Sequence, residues 1–187
     1  MNARLTCILG SFGLGMIACV EPVSAQPAPH YTLPSWDQTL SAKKRFDLVM
    51  PVEDLGPQAV LDRETGLVWQ MTPHDGSEFE WEQARSFCLN QNTGSRMGWR
   101  LPAIEELSTL VDLSTAPPDP ALPTDHPFDL GDDFPAFWST NEDRGNMSYG
   151  LVVIFGPDYE GAVPGIRAVL KTGKLRSWCV RGAAGHP

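Results

Sequence analysis

The sequence contains few of the residues from which catalytic and metal sites are usually built. It has only 4 cysteines and 4 histidines in 187 residues, and it lacks HExxH, GxSxG and glycine-rich phosphate-loop motifs. It also lacks a Cys-x-x-Cys pair or a Cys-His cluster that could bind zinc. His74, His126 and His186 are isolated from one another, which is typical of ordinary loop histidines. We therefore expect a protein that is not an enzyme and that carries no cofactor.

Basic residues are also scarce. The chain has 14 Lys and Arg against 23 Asp and Glu, a net charge of −9, which argues against a nucleic-acid partner. Residues 102–143 contain ten acidic residues and no Lys or Arg, whereas residues 161–187 contain five basic residues and no acid. This asymmetry can steer a ligand, or the two regions can lie side by side and neutralise each other.

A long membrane-spanning run is missing, although the chain begins with a short apolar segment. Arg4 precedes an uncharged, glycine-containing run over residues 5–20, and small residues lead to Ala25. The layout predicts a signal peptide over residues 1–25, because a membrane span needs about 20 apolar residues. We expect an exported protein, periplasmic or at the cell surface, that is not an integral membrane protein. A competing interpretation is a lipobox-like sequence that would make Cys19 the acylated residue of a lipoprotein.

Removal of this leader leaves Cys88 and Cys179 as the remaining cysteines. Two cysteines in an oxidising compartment usually pair, so we expect one disulfide. Closing a loop of about 90 residues stabilises a fold by roughly 4 to 5 kcal/mol in the chain-entropy model. A reactive or metal-binding thiol pair is the alternative.

Three regions follow the leader. Residues 26–44 are rich in proline without sustained periodicity, which predicts a linker or N-terminal arm. A domain is expected over residues 45–182, followed by a short tail over residues 183–187.

Local patterns predict a hairpin and a helix at the start of the domain. Two β-prone runs, 60–62 and 67–71, flank a turn at 63–66 that contains a glycine. The sequence 77–80 fits a capping box, and apolar residues with helical spacing follow from Trp81.

A second helix is predicted to begin at Pro102, with Leu101 as a poor N-cap. Its apolar face would consist of Ile104, Leu107, Leu110 and Val111. Residues 113–136 are rich in proline and aspartate and predict a long surface excursion. Strands are expected within 137–140, 149–155, 168–171 and 175–181, the last two joined as a hairpin through Thr172 and Gly173. Helices followed by antiparallel strands predict an α+β domain.

Five strings taken in order resemble the Lcl C-terminal domain family, which is named for a collagen-like adhesin of Legionella. They are DRETGLVWQ (62–70), WEQARSFC (81–88), GWRLPAIEEL (98–107), FWST (137–140) and SWCVRG (177–182). The resemblance implies a C-type-lectin-like fold related to formylglycine-generating enzymes, with two helices packed on twisted antiparallel sheets and long loops. A disulfide from the first helix to the last strand also recurs in C-type lectin domains. Family members commonly have Thr or Ser after the WRLP proline, whereas this chain has Ala103.

The resemblance further implies an exported binding module, with sulfated glycosaminoglycan as the ligand of the namesake. Formylglycine-generating activity would need a pair of active-site cysteines, and the disulfide already uses both. Calcium-dependent sugar binding would need motifs that Pro157 and Asp158 only half match, and Asp129, Asp132 and Asp133 do not form an EF-hand loop. Calcium is therefore possible but unsupported.

Candidate binding residues lie in the second half of the chain. Trp138 precedes the polar residues Asn141, Asp143 and Arg144, so it is the tryptophan best suited to stack on a sugar. A possible basic patch consists of Arg167, Lys171, Lys174 and Arg176. Trp99, Arg100, Pro102 and Glu106 are predicted to be structural, with Arg100 pairing with Glu106 or a carbonyl oxygen.

The sequence thus predicts a non-catalytic exported module that binds a glycan, a peptide or an envelope protein through loops 113–148 and the basic hairpin. The alternative is a structural module that self-associates at the cell envelope through its acidic loops and proline-rich arm.

Overall fold

The fold is described from a computed structural model over residues 40–53, 55–73, 77–115, 119–131, 136–156 and 164–182. The predicted signal peptide with Cys19, most of the predicted arm and the predicted tail lie outside these residues.

Two antiparallel sheets and three short helices form the described part of the chain. The helices are α1 (Ala42–Arg45), α2 (Trp81–Leu89) and α3 (Ile104–Ser108), and a 3-10 turn spans Thr93–Ser95. The first sheet has the order β1 (Phe46–Val52), β2 (Gly56–Asp62), β3 (Val68–Gln70) and β7 (Val180–Arg181). The second sheet has the order β4 (Ala136–Glu142), β5 (Tyr149–Ile154) and β6 (Gly165–Leu170). The predicted α+β class is confirmed, and the architecture is consistent with a C-type-lectin-like fold.

The first predicted hairpin and helix both form. Strands β2 and β3 pair antiparallel around a turn in which Gly66 has a φ of 71° and donates to the carbonyl of Asp62 at 2.8 Å. Helix α2 begins at Trp81 with Glu80 as its N-cap, and Gln83 Oε1 accepts the Glu80 N–H at 3.2 Å. The predicted capping box at residues 77–80 is therefore wrong. The capping box spans residues 80–83, with Glu80 at the N-cap and Gln83 as the residue that accepts its N–H.

The predicted disulfide is present and joins α2 to the C-terminal part of the chain. Trp81, Ala84 and Cys88 form the buried face of α2. Cys88 is bonded to Cys179 across a Cα–Cα distance of 5.4 Å and a sequence separation of 91 residues. The bond therefore fixes α2 against a segment that is distant in sequence.

Residues 175–181, here called the bridging segment, connect the two sheets. The chain turns at Gly173, whose N–H donates to the Leu170 carbonyl at 2.8 Å, but it does not form the predicted final hairpin. The carbonyl of Arg176 instead accepts the N–H of Trp138 in the second sheet, at 3.1 Å. Further along, Val180 pairs with Trp69 in the first sheet. The hairpin prediction is wrong because the backbone groups of this segment are used by neighbours in both sheets.

An aromatic cluster around Trp178 fills the core. Its ring centroid lies 4.9 Å from that of Phe128, 5.1 Å from Phe137 and 5.6 Å from both Phe155 and Trp69. Most of these contacts are edge-on or tilted, the arrangements that aromatic quadrupoles favour.

The segment over residues 113–136 is not the surface excursion that its prolines and aspartates predicted. Ala121, Leu122, Phe128 and Leu130 are all buried in the core. The prolines interrupt regular structure, but the apolar residues between them still gain free energy by leaving water. Among the described residues of this segment, the exposed ones are mostly polar, such as Asp125 and Asp129.

Residues 40–45 contact β2 and the turn that follows it. The Leu40 N–H donates to Glu64 Oε1 at 2.6 Å, and Ala42 in α1 is buried. Arg45 is fully buried and forms a two-pronged ion pair with buried Asp62, at 2.9 and 2.7 Å. One guanidinium nitrogen of Arg45 also donates to the Thr109 carbonyl at 3.0 Å. This pair connects the beginning of the domain to β2 and to the end of α3.

We predict that the variant Arg45→Met loses about 3 to 5 kcal/mol of unfolding free energy, because it leaves the Asp62 carboxylate buried without its counter-charge. Adding Asp62→Asn should restore part of that stability, since it removes the unpaired charge. Urea unfolding of the wild type and the three variants of this cycle measures the coupling. Additive losses in the double variant would contradict the prediction.

Candidate functional site

A surface groove lies where the end of β3 meets the chain that follows α2. It has a volume of about 660 Å³ and is walled by the β1–β2 turn, the residues after β3 and the 3-10 turn. The lining side chains are mainly amides, hydroxyls and apolar groups: Val52, Leu55, Gln58, Gln70, Met71, Thr72, Pro73, Phe87, Gln91, Asn92, Thr93 and Ser95, together with Gly94. We call this feature the amide groove. Of the described residues that line it, none is charged.

The side chain of Gln70 forms the buried floor of the amide groove. Its Oε1 accepts the backbone N–H of Cys179 at 3.1 Å. Its Nε2 donates to Thr93 Oγ1 at 2.7 Å and to Gln91 Oε1 at 3.3 Å. One amide therefore joins the disulfide-bonded segment to the polar wall of the groove, and the satisfied network holds that wall in one position.

The 3-10 turn packs tightly against β1. Gly94 has a φ of 63°, and a Cβ atom built there would lie 2.5 Å from the Cβ of Met50. Only glycine fits this position, because both the backbone conformation and the available space exclude a side chain. This close contact sets how near the rim residues Asn92 and Ser95 lie to β1.

Several polar groups at the rim are available to a ligand. Thr72, Asn92 and Ser95 are exposed. Within the described parts of the chain, the side chains of Thr72 and Asn92 make no hydrogen bond. Amides and hydroxyls both donate and accept, so the groove can exchange hydrogen bonds with a ligand rich in hydroxyl or amide groups. It offers no carboxylate, imidazole or thiol for acid–base or nucleophilic chemistry among its described lining residues.

The structure corrects the predicted role of Trp138. This side chain is fully buried, and its Nε1 donates to the Phe79 carbonyl at 2.8 Å. Its ring lies beside that of Trp81 where Gly150 leaves room for both, since a Cβ on Gly150 would be 2.7 Å from the Trp81 ring. Trp138 therefore cannot stack on a sugar. Polar residues follow it because β4 leaves the core, not because they surround an exposed ring.

Asn141 and Asp143 have structural partners. The Oδ1 of Asn141 accepts the N–H of Ile104 at 2.8 Å and so caps the start of α3. The Oδ1 of Asp143 accepts the N–H of Gly145 at 2.9 Å and shapes the β4–β5 turn. Arg144 is exposed in that turn.

The four residues of the predicted basic patch do not form one exposed basic surface. Arg176 is buried, and one of its guanidinium nitrogens lies 3.3 Å from the Leu130 carbonyl, so its placement in the patch is wrong. Lys171 pairs with Glu142 at 2.5 Å and lies 4.2 Å from the centre of the Trp81 ring. Arg167 and Lys174 are exposed. The patch is thus reduced to exposed Arg167 and Lys174 and half-buried Lys171.

The WRLP residues form a structural cluster at the start of α3. Trp99 is buried, and Pro102 is also buried. Arg100 forms a bidentate pair with Glu106 at 2.7 and 2.6 Å, as the sequence predicted. Glu106 Oε2 also accepts the Ala103 N–H at 2.8 Å. Ala103, rather than the predicted Leu101, is the N-cap residue of α3.

His126 is half-buried and stacks on Phe128, with 5.9 Å between the ring centroids. Burial lowers its pKa below 6.5, and nearby Asp119 opposes the shift. The Nδ1 atom accepts the N–H of Phe128 at 3.2 Å, which requires the ring to be unprotonated at that nitrogen. The folded state therefore favours neutral His126.

The described residues show neither a cluster of potential metal ligands nor a helix suited to cross a membrane. Those residues contain no group of three or more His, Cys, Asp or Glu side chains arranged to hold a metal ion. The residues considered for a calcium site that lie outside the described residues are Asp132, Asp133, Pro157 and Asp158; His74 and His186 also lie outside them. No described helix combines the length and apolar composition that a membrane crossing requires.

The fold, the long-range disulfide and the WRLP cluster together define a small disulfide-linked α+β domain. The model of the Lcl C-terminal domain family matches residues 58–181, and the chain belongs to this family. The family is associated with adhesins and not with a known class of enzymes, and with the disulfide it indicates an exported protein. Comparisons with curated proteins and with solved structures returned no match.

The sequence did not predict the amide groove. Its walls come from three segments that are each polar and short, and only the fold brings them together. The run Gln91, Asn92 and Thr93 directly after a helix was the one available signal.

We predict that Asn141→Ala lowers the unfolding free energy by about 1 kcal/mol, because the Ile104 N–H loses its acceptor. Adding Ala103→Ser should recover only part of the loss, because a serine at the N-cap accepts the N–H of Glu105 or Glu106 and leaves the Ile104 N–H unpaired. Asn92→Ala is the matched control, since it removes an exposed amide without a side-chain hydrogen bond in the described residues. Equal stability of the Asn141→Ala and Asn92→Ala variants in urea would refute the capping role.

We also predict that stability falls as the pH drops below 6.5, because the unfolded state then binds a proton that folded His126 resists. Above 6.5 both states hold the residue neutral, and its contribution is fully present. The variant His126→Gln keeps an acceptor but cannot titrate, so its stability should change less across this pH range. Parallel pH profiles of unfolding free energy for the two proteins would contradict the prediction.

Proposed function

We propose that the chain is a non-catalytic, ligand-binding module of an exported adhesin-type protein and that the amide groove is its binding site. The observation that carries this proposal is the composition of the groove. It is lined by amides and hydroxyls over apolar surface, and none of its described residues is charged. Ligand sites commonly combine apolar walls with a few placed polar groups.

The support beneath the groove favours binding over a role in folding alone. Both polar atoms of the Gln70 side-chain amide have hydrogen-bond partners in the protein. The floor of the amide groove is therefore in position before a ligand binds. A preformed site loses little conformational entropy on binding. The rim groups Thr72 and Asn92, in contrast, are exposed and hold hydrogen-bonding capacity that the described fold does not use.

The groove favours an uncharged ligand over a sulfated one. Polyanions are held by Arg and Lys side chains, which the described lining lacks. Arg144, Arg167 and Lys174 are exposed elsewhere and remain the predicted contacts for a polyanion. Retention on heparin therefore distinguishes a second, basic site from the groove.

We predict that the double variant Thr72→Ala with Asn92→Ala weakens binding of a ligand found by glycan or peptide array by about tenfold to thirtyfold. Two lost hydrogen bonds of about 1 kcal/mol each account for this range. The matched control is Thr124→Ala with Thr172→Ala, which changes two exposed residues outside the groove. Titration calorimetry measures affinity, and thermal unfolding checks that both variants fold. Equal affinity of the two double variants would place the ligand elsewhere.

A further inference from the structure

A second depression runs along the exposed side of α2 and adjoins the amide groove. The two share Phe87 and Gln91 in their linings. The second depression also contains Phe79, Gln83 and Asn90. Because two residues belong to both features, a ligand that leaves the groove past Phe87 meets the second depression directly.

Phe79 and Phe87 form a partly buried aromatic platform in this depression. Their ring centroids are 4.4 Å apart, with an angle of 30° between the ring planes. Phe79 is held by its backbone, which exchanges hydrogen bonds with Leu175 at 2.8 and 3.1 Å. Its carbonyl also accepts the Trp138 indole N–H at 2.8 Å. The bridging segment therefore fixes one ring, and α2 fixes the other.

The platform is flanked by side-chain amides that have donor or acceptor atoms left for further hydrogen bonds. Asn90 Nδ2 donates to the Ser86 carbonyl at 2.8 Å, and Gln83 Oε1 accepts the Glu80 N–H at 3.2 Å. Each amide uses only one of its two polar atoms in these contacts, so Asn90 Oδ1 and Gln83 Nε2 remain for a ligand. An apolar face bordered by neutral donors and acceptors matches a pyranose ring, which has C–H groups on its faces and hydroxyls at its edge.

The charges around the platform oppose an anionic ligand. The described lining contains Glu78 and Glu82 and no Lys, Arg or His. Arg85 lies beside Glu82 at 3.4 Å, and that exposed pair offsets only one carboxylate. With a net charge of −9 on the whole chain, a sulfated or phosphorylated polymer would be repelled here.

We propose that the amide groove and the Phe79–Phe87 platform are two subsites of one surface that binds a chain of uncharged pyranose sugars. One sugar unit stacks on the platform, and units beyond Phe87 exchange hydrogen bonds with the groove amides. This inference rests on the proposed function, because it assumes that the groove binds a ligand. It adds the ligand class and the second subsite.

The test uses the full exported chain and uncharged oligosaccharides of increasing length, namely chito-, cello-, xylo- and malto-oligosaccharides, with heparin hexasaccharide as the anionic probe. In the series that binds, the hexasaccharide should bind about tenfold or more tightly than the disaccharide, since it reaches both subsites. Its Kd should change little with salt, because no ion pair forms. Phe79→Leu should remove most of the length advantage while leaving disaccharide binding in the groove unchanged.

Matched variants separate the possible outcomes. Leu89→Ala is the control for Phe79→Leu, since Leu89 is an exposed apolar residue of α2 outside both depressions. Disaccharide binding that depends on Asn92, with no effect of chain length or Phe79, would overturn the second subsite and leave the proposed function intact. No effect of Asn92→Ala on any oligosaccharide would overturn both. Salt-sensitive binding of heparin alone would overturn the uncharged ligand class.

Discussion

The bridging segment is the part of the chain on which the rest of the fold depends. Within a few residues it contacts Phe79 before α2, Trp138 in the second sheet and Trp69 in the first sheet. The disulfide at Cys179 then attaches it covalently to α2. Within the described residues neither sheet has more than four strands, and a small sheet stabilises itself poorly unless other elements pack on it. Cross-linking both sheets and α2 through one strand-like segment supplies that packing.

The same segment sets the geometry of the candidate binding surface. Cys179 donates its N–H to Gln70, which in turn holds the wall of the amide groove. Leu175 exchanges backbone hydrogen bonds with Phe79 and so fixes the aromatic platform. Fold stability and binding-site geometry are therefore coupled, because the contacts that join the sheets also position the groups available to a ligand. Such support from packed elements is what gives a binding site a defined shape.

Local signals in the sequence predicted what depends on local structure. The hairpin at residues 63–66, the buried stripe of α2 and the pairing of Cys88 with Cys179 each follow from short patterns or from cysteine chemistry. The role of Trp138 was wrong because exposure is decided by which sheet face meets the core, and polar neighbours in sequence do not reveal it. The amide groove could not be predicted at all, since three separate segments form it.

Helix α3 illustrates how tertiary contacts replace a missing local signal. Ala103 has no side-chain acceptor, and a helix of five residues is marginal on its own. Asn141 from β4 provides the acceptor for Ile104, while Glu106 binds both the Ala103 N–H and the guanidinium of Arg100. Arg100 also lies 3.2 Å from the carbonyl of Gly182, the residue directly after the bridging segment. The N–H groups at the helix start thus donate to side chains from α3 itself and from β4, while Arg100 of the WRLP motif pairs with Glu106. This arrangement explains how the WRLP motif can still position the start of α3 although Ala103, the residue after its proline, has no side-chain group that could cap the helix.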